Sequence, residues 1–143
     1  IEIIKVDDQN STDLDKAYQL LITRKIPAAN VVWATGRRAD HTITNLTNVI
    51  KFADKLKIVL LDDYSKVFLL PKNYKKWYPR NTPISLIPIG KVYEIYTSNL
   101  AYKLNNESLE LGFRSGSSNH VIEDGIVEIK YGEGFLLMME CFD

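Results

Sequence analysis

With a single cysteine, Cys141, among 143 residues, the chain cannot form a disulfide within itself. A reducing compartment, the cytoplasm, is the expectation that follows. Histidine is nearly as scarce: only His41 and His120 stand beside that cysteine, which argues against a structural zinc site of the usual four-ligand kind. Neither sign of charge is in excess, because 18 Lys and Arg balance 18 Asp and Glu. No global field draws the chain to nucleic acid or to an anionic membrane, so any electrostatic work is local. Long apolar runs are missing too. Ile58 to Leu61 and Phe135 to Met139 fall far below the roughly 20 residues of a membrane span. There is no secretory signal pattern, internal repeat or low-complexity tract. Nor is there an initial Met: the chain starts in Ile1-Glu2-Ile3-Ile4-Lys5-Val6, which reads as a strand. What remains, 45% hydrophobic and 25% charged, is an ordinary globular composition able to bury a sizeable core.

The first half alternates strand and helix signals. Strands are expected at about 1–6, 30–34 and 57–62, with helices at about 12–25 and 40–55. Leu14, Ala17, Tyr18 and Leu21 repeat at the spacing of one apolar helix face, and Ile43, Leu46, Ile50 and Ala53 form a second such stripe. Thr12 and Asp15 resemble a capping box, Pro27 marks the first helix's end, and Asp40 suits an N-cap. This order implies parallel strands joined by right-handed crossovers, with both helices on one face. Yet Val31-Val32-Trp33 and Ile58-Val59-Leu60-Leu61 are apolar on both faces, as doubly covered strands are. Nothing else looks helical enough to cover the second face, so a preceding segment or a partner is expected to do so.

Two polar loops precede the helices: Asp7-Asp8-Gln9-Asn10-Ser11-Thr12-Asp13, and Ala34-Thr35-Gly36-Arg37-Arg38-Ala39-Asp40-His41. Both leave the carboxyl ends of strands, the rim where α/β proteins place phosphate chemistry. Neighbouring strands would bring them within about 10 Å of each other. Carboxylates on one and arginine on the other suggest a metal–polyphosphate site.

Beyond Tyr64 the pattern changes to short runs rich in Val, Ile, Tyr, Phe and Leu at 66–70, 84–88, 91–97, 100–104, 107–113, 125–131 and 134–141. Asn105-Asn106, Glu123-Asp124-Gly125 and Tyr131-Gly132-Glu133-Gly134 read as hairpin turns. The fold expected is α/β then all-β: a partial three-layer α/β domain over 1–72 and an antiparallel β-sandwich over 80–143. Pro71 to Pro83, with Lys72, Lys75, Lys76 and Arg80, reads as a wet connection between them.

At these motifs the chain resembles the thiamine pyrophosphokinase family. The resemblance is carried by Gln9-Asn10-Ser11-Thr12-Asp13-Leu14, by Ala34, Thr35, Gly36, Arg38, Asp40, His41 and Asn45, by Ser85-Leu86-Ile87-Pro88, and by Gly116-Ser117-Ser118-Asn119. The order and spacing of all four carry more weight than any one. Trp33 and Arg37 stand where the family usually has glycines, and His120 replaces a common Glu. The resemblance implies transfer of a diphosphoryl group from ATP to the hydroxyethyl arm of thiamine, giving AMP and thiamine diphosphate. It also implies magnesium, a homodimer with the substrate site near the interface, and a β domain that helps bind thiamine. The family's N-terminal third, with its first acidic metal-binding loop, is not in this sequence, and the 143 residues alone are expected to be inactive.

Each candidate residue has a plain role beside its functional one. Asp13 would bind Mg²⁺, although an acid also simply favours a helix N-terminus. Gln9 suits phosphate contacts; Thr12 is either a cap or a ligand. Thr35 and Gly36 would face phosphate. Arg38 is the best candidate for stabilising charge on the transferred phosphoryl oxygens, because its planar fork suits that geometry better than an ammonium does. Asp40 either orients Arg38, holds a metal-bound water or caps the helix. His41 either contacts nucleotide or is structural. Ser117, Ser118 and Asn119 would meet the aminopyrimidine of thiamine, and without the resemblance they are a polar turn. Trp77 and Tyr78 either stack on a heteroaromatic ring or pack, and Asp62-Asp63 reads as a solvated turn. No general base is evident. The alternative is a non-catalytic module that binds thiamine or a related heterocycle.

Overall fold

Two helices, a six-stranded mixed sheet and a four-stranded antiparallel sheet stack in that order in the computed structural model, which describes residues 4, 5, 7–36 and 38–142. The chain runs α1 (Asp13–Thr23), β1 (Ala28–Val32), α2 (Ala39–Lys51), β2 (Lys57–Leu61), β3 (Ser65–Leu69), β4 (Asn73–Tyr78), β5 (Pro83–Ile89), β6 (Lys91–Ser98), β7 (Asn105–Glu110), β8 (Gly116–His120), β9 (Gly125–Lys130) and β10 (Phe135–Cys141). The expected first strand falls on residues mostly outside those described, and its described members, Ile4 and Lys5, carry no strand.

Local signals account for the helices. Thr12 and Asp15 form the capping box reciprocally, each side chain meeting the other's backbone N–H. The helix α1 ends at Arg24, with Lys25 in the left-handed region at φ 56°. The start of α2 differs from expectation. Arg38, not Asp40, occupies the N-cap position, and it makes no side-chain cap. Asp40 is the second residue of the helix, where its carboxylate is taken by Arg38. The Thr42 hydroxyl supplies the closure instead, accepting Gly36 N–H at 3.1 Å and donating to the Arg38 carbonyl at 3.0 Å.

The six-stranded sheet has the order β1-β2-β3-β10-β5-β8. Strands β1 and β2 are parallel, pairing Ala28 with Lys57 through Val32 with Leu61, and every other pairing in the sheet is antiparallel. The sheet therefore runs across the join expected near Pro71 to Pro83. Both helices cover one face, where Tyr18, Val49 and Phe52 pack on Ile58, Leu60, Val67 and Leu137. Ala17 and Ile43, expected in the helical stripes, are exposed.

The second face finds its cover in this chain. The four-stranded sheet, order β4-β9-β6-β7, packs Val92, Ile95, Leu109, Val127 and Ile129 against Phe68, Ile84, Leu86, Leu136 and Met138. That cover does not extend over β1, where Ala28, Asn30 and Val32 are exposed. Apolar strands thus signalled a sandwich core, which a search for helices could not find.

Several turns also differ from expectation. Strands β8 and β9 belong to different sheets, and so do β9 and β10, so residues 121–124 and 131–134 cross between layers and form no hairpins. The hairpin between β6 and β7 turns at 99–104, ahead of Asn105-Asn106. Residues 100–104 make no strand, only a bridge from Leu100 to Val121. Conversely, β4 and β8 arise from segments read as connection and turn. Both are edge strands, where polar and basic residues guard against sheet-to-sheet pairing, so apolar alternation is weak. Gly116 lets β8 pack tightly on β5: a Cβ there would lie 3.0 Å from the Leu86 Cβ and 3.1 Å from its carbonyl oxygen.

Candidate active site

The first turn of α1 faces the N-terminal half of α2. A cleft of about 390 Å³ is lined by Thr12, Asp13 and Leu14 from one and by Asp40, His41, Thr44 and Asn45 from the other. An adjoining cleft of about 430 Å³ shares His41 and Asn45 and adds Trp33, Thr35, Gly36 and Arg38 from the loop after β1. Asp13 and Asp40 therefore share a cleft, and Arg38 lines the one adjoining it. The pairing of α1 with α2 is fixed behind them by Lys51, whose Nζ lies 2.8 Å from the buried Asp15 carboxylate.

The loop after β1 is held at four points. Trp33 N–H donates to the Leu61 carbonyl at 2.8 Å, and the Asn45 amide donates to the Ala34 carbonyl at 2.6 Å. Gly36 N–H meets Thr42, and the Thr35 hydroxyl donates to Asp62. Gly36 sits at φ 119° with open space around it, so its glycine answers a backbone need and not a steric one. Asp62 also accepts Ser65 N–H at 2.6 Å and Tyr64 N–H at 2.9 Å. Burial alone raises its carboxyl, but these donors outweigh it and hold Asp62 below the usual carboxylate range. It is a strut between loop and sheet, not a solvated turn.

At the cleft mouth Arg38 and Asp40 form a two-pronged pair, Nε to Oδ1 at 3.1 Å and the terminal nitrogen to Oδ2 at 2.6 Å. The pair holds the Asp40 carboxyl below its ordinary value and the guanidinium above its own. Both side chains are exposed, so the guanidinium keeps free donors for a ligand. Asp13 is fully exposed, and Lys16 Nζ lies 3.8 Å from its carboxylate. Gln9 is exposed in the preceding bend, where Asp8 accepts the Ser11 hydroxyl and Asn10 N–H. Thr12 is occupied: its hydroxyl accepts Asp15 N–H at 3.2 Å and donates to the Asp15 carboxylate at 2.9 Å. Arg37 lies outside the described residues.

Ser117, Ser118 and Asn119 stand apart from this group. They belong to β8, five strand positions from β1 in the sheet. At normal strand spacing that is about 24 Å. Ser117 and Ser118 are exposed, and Ser118 N–H donates to the Ser85 hydroxyl at 3.1 Å. Asn119 is buried, its amide exchanging two 3.0 Å hydrogen bonds with the backbone of Tyr102.

Residues 1–60 match the family described as thiamin pyrophosphokinase, catalytic domain, and residues 72–136 match thiamin pyrophosphokinase, vitamin B1 binding domain. The chain belongs to the thiamine pyrophosphokinase family. It is 33% identical over 132 residues to thiamine pyrophosphokinase 1 of Oryza sativa subsp. japonica, covering 83% of this chain and 49% of that protein. Against the thiamine pyrophosphokinase of Bacillus subtilis the identity is 27% over 145 residues, 95% of this chain and 65% of the relative. The crystal structure of the Bacillus subtilis enzyme superposes with a TM-score of 0.82 at 26% identity, over 95% of this chain and 65% of that one. The chain thus spans about half to two-thirds of the length of these relatives.

Within this family fold, three residues shape the cleft in ways the sequence did not suggest: Asn45 entered only as part of the resemblance, Asp62 as a solvated turn, and Thr42 not at all. Asn45 and Thr42 pin the loop to α2, and Asp62 pins it to the sheet. Only Asp62 left a local signal, because an Asp followed by Tyr64 and Ser65 is a good Asx turn. For a cation, Asp13 is the carboxylate of the cleft not committed to an arginine. Among the described residues no three His, Cys, Asp or Glu side chains gather. That donor set fits magnesium, which keeps waters and phosphate oxygens and needs only one or two carboxylates.

Proposed function

We propose that the protein carrying this chain transfers a diphosphoryl group from ATP to thiamine, yielding thiamine diphosphate and AMP. The observation that carries the reading is one cleft shared by Asp13 and Asp40, with Arg38, held two-pronged by Asp40, lining the cleft that adjoins it. In the transfer, the thiamine hydroxyl oxygen bonds to the β-phosphorus. The bond from that phosphorus to the oxygen bridging to the α-phosphorus breaks, AMP leaves with that oxygen, and the hydroxyl proton is lost. Little covalent work is asked of the protein beyond alignment and charge neutralisation.

Arg38 meets the charge spreading over the transferred phosphoryl oxygens, and Asp40 sets the plane of its guanidinium. Asp13 holds magnesium, which when bound neutralises phosphate charge. Gln9, Thr35, Gly36 and His41 bind the phosphate chain, and Thr12 shapes the site by capping α1. Ser117 and Ser118, backed by Asn119, meet thiamine. Their distance from the cleft supports a homodimer in which the β8 edge of one copy completes the cleft of the other. In the described residues no helix is long and apolar enough to cross a membrane, and the lone cysteine supports a cytoplasmic location.

The test is product analysis of the intact protein supplied with thiamine, ATP and magnesium. Thiamine diphosphate and AMP are expected in equal amounts. Formation of ADP with thiamine monophosphate, or no turnover with thiamine bound, would overturn the reading.

A further inference from the structure

Trp33 bears two costs at one position. Its backbone sits at φ 53°, a region that favours glycine, and its indole is 74% exposed. Non-glycine residues held in such conformations persist where the surroundings over-determine them, and they cluster at ligand sites. Here the surroundings do so: the Trp33 N–H is locked to the Leu61 carbonyl at 2.8 Å, fixing the residue at the end of β1. The position lines the cleft of about 430 Å³ that also holds Thr35, Gly36, Arg38 and His41. One wall of that cleft is thus a bare aromatic surface, and the rest includes the exposed Arg38 guanidinium and the His41 ring. Such a lining suits a ligand with a flat π face at one end and an anionic chain at the other.

We propose that Trp33 is the stacking platform for the base of the nucleoside triphosphate, and so determines specificity for nucleotide over bare polyphosphate. This rests on the functional reading above. The phosphates lie toward Gly36, Arg38 and His41, and the base covers the indole. Covering it recovers the burial that the free protein forgoes.

The experiment is calorimetric titration of the intact protein with ATP, inorganic tripolyphosphate and thiamine, each with magnesium where phosphate is present. Wild type is compared with W33G, W33L and W33F. Stacking of a base on an aromatic ring corresponds to a roughly 5- to 150-fold effect on affinity. W33G relaxes the backbone and W33L keeps an apolar side chain, so a folding failure in one leaves the other. Both are expected to weaken ATP within that range while tripolyphosphate changes less than about twofold, and W33F is expected to recover most of the loss. Equal weakening of ATP and tripolyphosphate, unchanged ATP, or weakened thiamine alone would each overturn the assignment. Wild type that binds neither ATP nor tripolyphosphate would remove the functional reading itself, which is a separate result from tripolyphosphate binding that W33G leaves intact beside unchanged ATP.

Discussion

Glu140 offers a sharp test of how the two sheets are held together. It lies on β10 and is only 6% exposed, at the end of the sandwich core. Its carboxylate accepts from Lys76 Nζ at 2.7 Å and from the Tyr78 hydroxyl, with Lys66 at 3.3 Å and Tyr74 at 3.4 Å. Lys66 comes from β3 in its own sheet; the other three come from β4 in the facing one. Two of these contacts are short and charge-assisted, and each such bond contributes about 1.5–3 kcal/mol. The lysine side chains are 33% and 44% exposed and can rehydrate, which reduces the loss. Tyr78 also keeps its 2.7 Å contact with Tyr74. The net cost of E140A is therefore about 3 kcal/mol, or about 10 °C in Tm for a chain of this size.

The pH dependence has a definite sign. Burial raises the Glu140 carboxyl, but the hydrogen bonds from Lys76 and Tyr78 and the charges of both lysines outweigh it, so it titrates below its ordinary 4.5. A carboxyl depressed in the folded state contributes stability above its unfolded value and loses it as pH falls through the folded one. Chemical denaturation of wild type and E140Q from about pH 6 down to about pH 3 is expected to show the gap between them closing. A double-mutant cycle with K76M measures the pair alone. A loss below about 1 kcal/mol in E140A, or a coupling below about 0.5 kcal/mol, would refute the account.

Three further outcomes are expected. R38K keeps the charge but loses the fork to Asp40, so kcat for diphosphoryl transfer falls about 10²-fold with a smaller change in KM; equal rates for Lys and Arg would remove Arg38 from its role. D13N raises the magnesium concentration needed for half-maximal rate, read from a metal titration at fixed ATP, and an unchanged midpoint would assign the metal elsewhere. G116A brings a Cβ to 3.0 Å from the Leu86 Cβ, so that β5 or β8 must shift by a few tenths of an ångström, at an expected cost of about 1–3 kcal/mol in thermal unfolding; an unchanged Tm would mean that the pairing of β8 with β5 takes up the shift freely.

Elements whose signal was local were legible in the sequence, and those that depended on a distant partner were not. The capping box of Thr12 and Asp15 made the start of α1 readable, and the parallel pairing of β1 with β2 followed from the alternation of strand and helix. The turn around Asp40 misled because Asp is a good cap in isolation, while the real geometry depends on where Arg38 reaches. Strands β4 and β8 escaped because edge strands are polar by requirement, and their pairing with β9 and β5 is what makes them strands. The buried Glu140 gave no sign at all. In Met138-Met139-Glu140-Cys141 it reads as the outward residue ending a strand, and only the arrival of Lys76 and Tyr78 from the other sheet makes that burial tolerable.

The same division explains the candidate site. The residues of the arginine-bearing loop could be placed on one rim from the order of β1 and β2, because a crossover topology fixes which loop ends face together, while the strand expected before Asp13 lies mostly outside the described residues. Their supports, Asn45, Thr42 and Asp62, are polar residues of common types whose meaning lies in the atom each meets. Trp33, visible in the sequence only as a departure from the family's glycine, differs in kind from these supports. A support satisfies a backbone group and lowers the energy of the free protein. An exposed indole on a left-handed backbone raises it. A cost of that kind at the edge of a cleft that also holds Arg38 and His41 is what a ligand covering the indole would offset.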